Sequence, residues 1–437
     1  MFISALRIEN VRSFRHLDLS FLQPENQIRR WTLIIGENGS GKSTLLRALA
    51  LVTAGSESLA SLLVDPDSWI TNGARFARIE ADVLTAEGEP RTFKLSLRRG
   101  QGVSQVIKAN DANLEPLDDA LRHTARNYLT VGYGVSRRLS GGHPRSVAKE
   151  DGSRSLRSRS VGTLFSPDAE LQSVETWAMD LHYRRGSGGI GVVRRALAGI
   201  LPGVTFHSID RERRRLVFET VDGLVPMMQL SDGYQNVAAW AGDLLYRVTE
   251  TFRNYRNPLS ARGLLLIDEI DLHLHPVWQR RLRTFLDDKL SSFQIIATTH
   301  SALTAQQAAA GELFYFKRRH RKVGVTLSAF EGDPQKLMSH QLLLNDAFGL
   351  TTLNSPQVQG QRDRYRKLRT KRRPSATEQR EMKALKGELR DIPDWSRPTK
   401  QDKETLAALR SIERELLKRP PRVRTSAGAK GAKDKRR

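Results

Sequence analysis

Apolar and polar residues alternate along FISALRIEN (2–10) and FRHLDLSF (14–21), the period-two pattern of half-buried strands. WTLIIG (31–36) is instead almost continuously apolar, as a strand buried on both faces requires, and a helix is expected from about Lys42. The same reading predicts strands at ARIEADV (77–83), TFKLSL (92–97) and YLTVGYG (128–134). Helical spacing runs through DAELQSVETWAMDLHYRR (168–185) and GVVRRALAGIL (191–201), whereas VTFHSIDRERRRLVFETVDG (204–223) reads as a hairpin. A helix after Ser231, the strand GLLLIDE (263–269), a helix from Pro276 and the strand FQIIATT (293–299) complete an α/β pattern. There is no internal repeat and no sustained heptad, so long coiled-coil arms are excluded.

The turn between the first apolar strand and its helix carries the densest chemistry. Gly36, Glu37, Asn38, Gly39, Ser40, Gly41, Lys42 and Ser43 fit G-x-x-x-x-G-K-[ST], and both flanks are of the required type. Glycines let such a loop curl its backbone N–H groups around phosphate, Lys42 is placed to bridge β- and γ-phosphates, and the Ser43 hydroxyl, with Thr44 beside it, opens the helix as a ligand for Mg²⁺. A glycine turn capping a helix would not need Lys42 and Ser43 together. GLLLIDE ends four aliphatic residues later in Asp268 and Glu269, a buried strand delivering one carboxylate to the metal shell and a second to the attacking water. ATP and Mg²⁺ are therefore the expected cofactors, with Lys42, Glu269 and, below, His300 as catalytic candidates.

Leu230, Ser231, Asp232, Gly233, Tyr234 and Gln235 stand before a long helix, 37 residues ahead of Asp268. Here the chain resembles the ABC-type ATPases, whose signature loop reads LSGGQ or a near variant. The resemblance implies that Ser231 and Gly233 bind the γ-phosphate of ATP held by a second protomer; a bare Ser N-cap is the plainer alternative. DEIDLHLHP (268–276) followed by TTHS (298–301) is similar to the non-transporter heads of the OLD and RecF/SMC type, and most closely to the AAA-type ATPases of prokaryotic anti-phage defence such as Septu. In that family LHLHP forms a loop across the dimer interface and His300 reads the γ-phosphate. A His-x-His metal centre is the competing reading of the same residues.

The resemblance covers about residues 1–350 and implies an α/β P-loop NTPase of ABC-ATPase head type with an antiparallel β subdomain, a helical lobe and a basic helical C-terminal segment. The expected divisions are a head at 1–355, with the lobe at about 165–260 between the two nucleotide motifs, a basic helical segment at 356–419 and a disordered basic tail at 420–437. Asp232 replaces a glycine of the commoner signature. No clear glutamine marks the Q-loop: DPDSWITNGARF (65–76) lies where one is expected, and Gln101 and Gln105 are weak substitutes. Arg12 and Phe14, in NVRSF, occupy a position that approaches the nucleotide in RecF/SMC-like heads, although an Arg near an edge strand also serves as a surface pair.

Charge adds a partner to this picture. The 437 residues hold 71 Lys+Arg against 48 Asp+Glu, a formal charge of +23. Residues 356–437 alone contribute 26 minus 11, or +15, and RRLSGGHPRSVAKEDGSRSLRSRS (137–160) carries seven basic residues against two acids. Nucleic acid is the first polyanion to expect at the C-terminal segment, solvated surface the alternative. The absence of Cys excludes disulfides, iron–sulfur clusters and thiolate zinc sites. No apolar run reaches 18 residues and Glu9 interrupts the N-terminal stretch, so neither membrane span nor export is expected and the cytoplasm is the expected compartment. The functional expectation is an ATPase that dimerises with ATP sandwiched between heads, grips or senses nucleic acid, and controls a separate effector, expected to be a nuclease. A RecF-like repair or recombination ATPase is the alternative; a transporter subunit is disfavoured by LHLHP, and a non-hydrolysing binding module by Glu269.

Overall fold

The computed structural model describes residues 1–85, 87–122, 129–137, 156–198, 201, 203–252, 258–318 and 324–393. The chain forms two compact units, Met1–Gly349 and Leu350–Arg437. The described strands are β1 (Phe2–Val11), β2 (Phe14–Ser20), β3 (Trp31–Ile35), β4 (Phe76–Leu84), β5 (Pro90–Arg98), β6 (Thr130–Tyr133), β7 (Thr205–Asp210), β8 (Arg215–Thr220), β9 (Gly223–Pro226), β10 (Gly263–Ile267), β11 (Phe293–Thr298), β12 (Leu313–Arg318) and β13 (Val325–Ala329). They make an antiparallel sheet β2-β1-β4-β5, a central sheet β13-β12-β3-β11-β10-β6, and a small antiparallel sheet β7-β8-β9. In the central sheet only β13 runs antiparallel to its neighbour.

β3, β10 and β11 are buried along their whole lengths, which explains why they read as continuous apolar runs. Alternate residues point to opposite cores. Leu33, Leu265, Ile267 and Ile295 pack into one cluster with Trp177 and Trp240, residues of the helices Val174–Leu197 and Asp232–Thr251. Ile34, Leu264, Leu266 and Ile296 pack into the other with the helix Lys42–Thr53 and the β1/β4/β5 sheet. That helix lies between two sheets and buries Leu45, Leu46, Leu49, Leu51 and Val52 completely, while Arg47, in its middle, is partly buried and donates to the Leu164 carbonyl. Truncating one such leucine to Ala costs about 2–5 kcal/mol, enough to fix the helix and the glycine turn that precedes it.

The α/β P-loop architecture expected from the sequence is therefore present, with three differences of detail. The hairpin at 204–223 continues into a third strand, β9, so the interval read as a helical lobe also contains a sheet. The helix expected from 168 starts at Val174, where the Ser173 hydroxyl accepts the Thr176 N–H at 3.3 Å, and it runs on to Leu197 across a break at Gly186 (φ 56°). β12 and β13 were not expected. Leu350–Arg437 contains an antiparallel pair of helices, Pro356–Thr370 and Ala376–Glu388, the first begun by Ser355 and Pro356, the second by a Ser375/Glu378 capping box. Residues 394–419 of the expected helical segment, the tail at 420–437 and most of the basic stretch at 137–160 fall outside the described residues. Among the described residues no helix is long and apolar enough to cross a membrane.

Candidate nucleotide-binding site

Parallel pairing of β3, β11, β10 and β6 brings four carboxyl ends to one edge of the central sheet, the edge where ligands sit in open α/β sheets. β3 delivers Gly36 to Ser43, β10 delivers Asp268 and Glu269, β11 delivers Thr299 and His300, and β6 delivers Gly134 to Arg137.

The glycine turn adopts backbone angles its sequence anticipates. Gly39 (φ 73°) and Gly41 (φ 102°) lie in the left-handed region, and a Cβ on Gly41 would stand 2.4 Å from Phe14 Cζ. Glu37, Asn38 and Gly39 are exposed, whereas Ser40, Lys42 and Thr44 are buried and Gly36, Gly41 and Ser43 partly so. Lys42 Nζ donates to the carbonyls of Gly36 (2.8 Å) and Glu37 (3.1 Å). Burial lowers its ammonium from the usual value, with Asp268 and Glu269 opposing the shift. Ser40 Oγ is buried without a hydrogen-bond partner. A buried cation, an orphan hydroxyl and backbone N–H groups curled around an open turn fit the phosphates of ATP.

Asp268 is buried and its Oδ1 accepts Thr298 Oγ1 at 2.6 Å. Glu269 is half-buried and has φ 46°, rare for a residue with a side chain. Its N–H donates to Thr298 Oγ1 at 2.7 Å, and its Oε1 lies 3.8 Å from His300 Nε2. Burial, and then Lys42, lower the His300 pKa, so its ring is neutral at pH 7. Asp271 accepts a short hydrogen bond from Thr299 Oγ1, and burial raises its pKa. Lys42, Asp268, Glu269 and His300 are thus gathered at one edge, and Ser43 opens the helix beside them.

Ser231 and Gly233 stand at the head of the helix Asp232–Thr251. Ser231 occupies the N-cap position of Asp232–Thr251 but its hydroxyl makes no capping bond, and a Cβ on Gly233 would lie 3.2 Å from the His273 carbonyl. Among the described residues no hydrogen bond or ion pair links them to the Lys42 turn. His275 caps the helix Pro276–Gln279 through Nδ1, and no cluster of three metal-ligating side chains occurs among the described residues.

Several other expectations are redirected. Gln101 and Gln105 are occupied by local turns, accepting the N–H groups of Arg98 (3.1 Å) and Gly102 (2.9 Å). Residues 65–76 pack instead on the end of β1, through Arg12 N–H to the Trp69 carbonyl at 2.9 Å and a Val11–Ile70 bridge. The Arg12 guanidinium stacks on Trp69 at 4.4 Å and makes no ion pair among the described residues, and burial followed by Arg47 lowers its pKa. Phe14 supports Gly41 from below. Two contributors were given no role by the sequence, although Thr298 opens the TTHS motif. Thr298 joins both acids of β10, and Arg137, first residue of the basic stretch, is buried with Nη2 donating to the carbonyls of Asp268 and Glu269. Burial pulls the Arg137 guanidinium down to about 10, still charged at neutral pH.

Residues 66–305 match the family model described as "AAA domain, putative AbiEii toxin, Type IV TA system", and residues 1–96 match "AAA ATPase domain". A Septu protein PtuA from Bacillus mycoides is 27% identical over 396 residues, which is 89% of this chain and 50% of that protein. An OLD nuclease from Thermus scotoductus is 28% identical over 346 residues, 69% of this chain and 60% of the nuclease. The SMC head domain from Thermotoga maritima aligns with 76% of this chain and 100% of its own at 14% identity and a TM-score of 0.40. The chain spans about half the length of the first of these relatives. With more than half of its residues inside the first of those two models, the chain belongs to that AAA-domain family and carries its ATPase domain.

Proposed function

We propose that the chain binds and hydrolyses ATP, that two copies close on two nucleotides, and that this state grips or senses nucleic acid to control a separate effector, a nuclease, in cytoplasmic anti-phage defence. The observation that carries the reading is the gathering of Lys42, Asp268, Glu269 and His300 at the carboxyl edge of the sheet, with Ser231 and Gly233 at the head of the helix Asp232–Thr251. Residues 36–44 hold the phosphates, Lys42 meets their charge, and Ser43 and Asp268 hold Mg²⁺. When bound, Mg²⁺ supplies charge neutralisation at the phosphate oxygens. Glu269 orients the attacking water, and neutral His300 is a hydrogen-bond partner for the γ-phosphate. Ser231, with its hydroxyl unspent, and Gly233 complete the site of a second copy. Relatives bearing the names Septu protein PtuA and OLD nuclease support the defence setting and a nuclease effector.

The test is Mg²⁺-dependent ATP turnover by the wild type, Lys42→Ala and Glu269→Gln, followed by sizing of Glu269→Gln with ATP. Lys42→Ala loses ATP binding; Glu269→Gln keeps binding, loses turnover by about a hundredfold or more and elutes as a dimer. Normal turnover in Glu269→Gln would remove that residue from the mechanism, and a monomer at every ATP concentration would remove the dimer. Ser231→Arg keeps nucleotide affinity in the monomer but loses hydrolysis and ATP-dependent dimerisation.

A further inference from the structure

We infer that Arg137 is a positioning residue that sets the Glu269 carboxylate and couples it to the helix carrying the Ser231 turn. The inference rests on the ATPase reading above and names how its catalytic acid is held. Glu269 sits in the left-handed region, a strained conformation for a residue with a side chain that persists only where the surroundings over-determine it. Those surroundings are specific. Its N–H is fixed by Thr298 Oγ1, and its carbonyl accepts both Leu272 N–H at 3.0 Å and Arg137 Nη2 at 2.7 Å. The same Nη2 donates a short hydrogen bond to the Asp268 carbonyl, while Arg137 Nε donates to Gly134 at 3.0 Å. One guanidinium therefore ties the end of β6 to the two peptide units that aim both acids.

The fourth side of Arg137 faces the helix Asp232–Thr251, with its guanidinium carbon 5.8 Å from the Trp240 ring centroid. Beside it a cavity of about 260 Å³ is lined by Arg137, Asn236, Trp240, Leu272 and His273. Asn236 and Trp240 of the helix and Leu272 and His273 of the turn after Glu269 share this cavity with Arg137. His273, on the far wall, is itself at φ 63°, and its carbonyl lies against Gly233. A change at the Ser231 end of the helix thus reaches Glu269 by two routes, through Trp240 to Arg137 and through Gly233 to the turn. A lysine could not substitute: one ammonium lacks the planar fork that spans Gly134 and both acid carbonyls.

The full-length Arg137→Lys protein tests this, with Arg137→Ala as the stronger change. Expected for Arg137→Lys are an unchanged ATP dissociation constant, a kcat lower by about a hundredfold, the penalty for misplacing a reacting group by ~1 Å, and faster amide exchange at Leu272 and Leu274 in nucleotide-free protein with the remaining amides protected as in wild type. Trp240→Leu gives a smaller kcat loss in the same direction. Wild-type kcat in Arg137→Lys overturns the inference, as does a joint fall in ATP affinity, kcat and protection throughout the chain, which marks a structural residue. If the wild type itself hydrolyses no ATP, the ATPase reading fails separately; exchange at Leu272 then decides alone, acceleration supporting the Arg137 link and no change overturning it.

Discussion

Thr298 Oγ1 donates to Asp268 Oδ1 at 2.6 Å and accepts the Glu269 N–H at 2.7 Å, so one hydroxyl on β11 serves both acids of β10. Thr298→Val keeps the shape and removes both bonds, leaving a buried carboxylate oxygen and an N–H short of a partner. The expected result is a stability loss of about 1–3 kcal/mol, together with a kcat that falls more than the ATP dissociation constant rises. Thermal melting and steady-state kinetics check this; an unchanged kcat would show that Asp268 and Glu269 do not need the hydroxyl to stay in place.

Gly41 and Phe14 make a second prediction. At φ 102°, with Phe14 Cζ 2.4 Å from where a Cβ would stand, Gly41→Ala is strained in its backbone and blocked by a ring that is itself fully buried. ATP affinity, measured by titration, is expected to fall by more than tenfold (about 1.4 kcal/mol or more). Phe14→Leu in the same chain relieves the collision but not the angle, so it restores part of the loss. Full recovery would place the whole effect in the ring contact.

Asp243 is fully buried and accepts from Tyr133 Oη (2.7 Å), Arg247 Nε (2.6 Å), Arg247 Nη2 (2.9 Å) and Gln172 N–H (2.8 Å). Burial and the Asp243 charge raise the Tyr133 pKa, which keeps its phenol a donor. Burial works against the Arg247 charge, but Asp243 outweighs it and leaves that pKa raised. Asp243→Ala strands a buried guanidinium and is expected to cost about 3–5 kcal/mol, whereas Tyr133→Phe removes one hydrogen bond for about 1 kcal/mol. Melting temperatures should fall in that order. Equal falls would mean that the cluster acts through packing alone.

The elements legible in the sequence were those whose pattern is set by burial on both faces, namely β3, β10, β11 and the helix Lys42–Thr53, and those punctuated by special backbone, such as Gly39 and Gly41. What escaped depended on partners far along the chain. Asp243 and Arg247 sit four residues apart on a helix, but that spacing looks the same on an exposed face as in a core. Arg137 is one of seven basic residues in a Ser- and Gly-rich stretch, and only the pairing of β6 with β10 turns it toward the acids. The segment 65–76 took its place from chain order, but Trp69 binds it to β1 and Arg12 instead.

The last prediction concerns the basic C-terminal unit. Residues 356–437 carry a net charge of +15 (26 minus 11), and internal pairs occupy some of the 26 basic groups without changing that net. Arg364 is held by Glu381 at 2.8 Å and Lys371 by Glu378 at 2.7 Å, pairs that join the helices Pro356–Thr370 and Ala376–Glu388. Lys367, Arg369, Arg372 and Arg373 are exposed on the first helix and the turn after it. If these groups meet phosphates, they displace condensed counterions, and log affinity for a short duplex must fall linearly with log salt at a slope near 0.9 per phosphate contacted. Replacing all four by Gln in the full chain should lower affinity at low salt and flatten the slope by up to about 3–4, with little dependence on sequence. Arg364→Gln, which breaks an internal pair, should change the slope far less. A slope unaltered by the fourfold change and by removal of residues 356–437 would assign this unit to an acidic protein partner, since the same positive surface would then have no phosphate to neutralise.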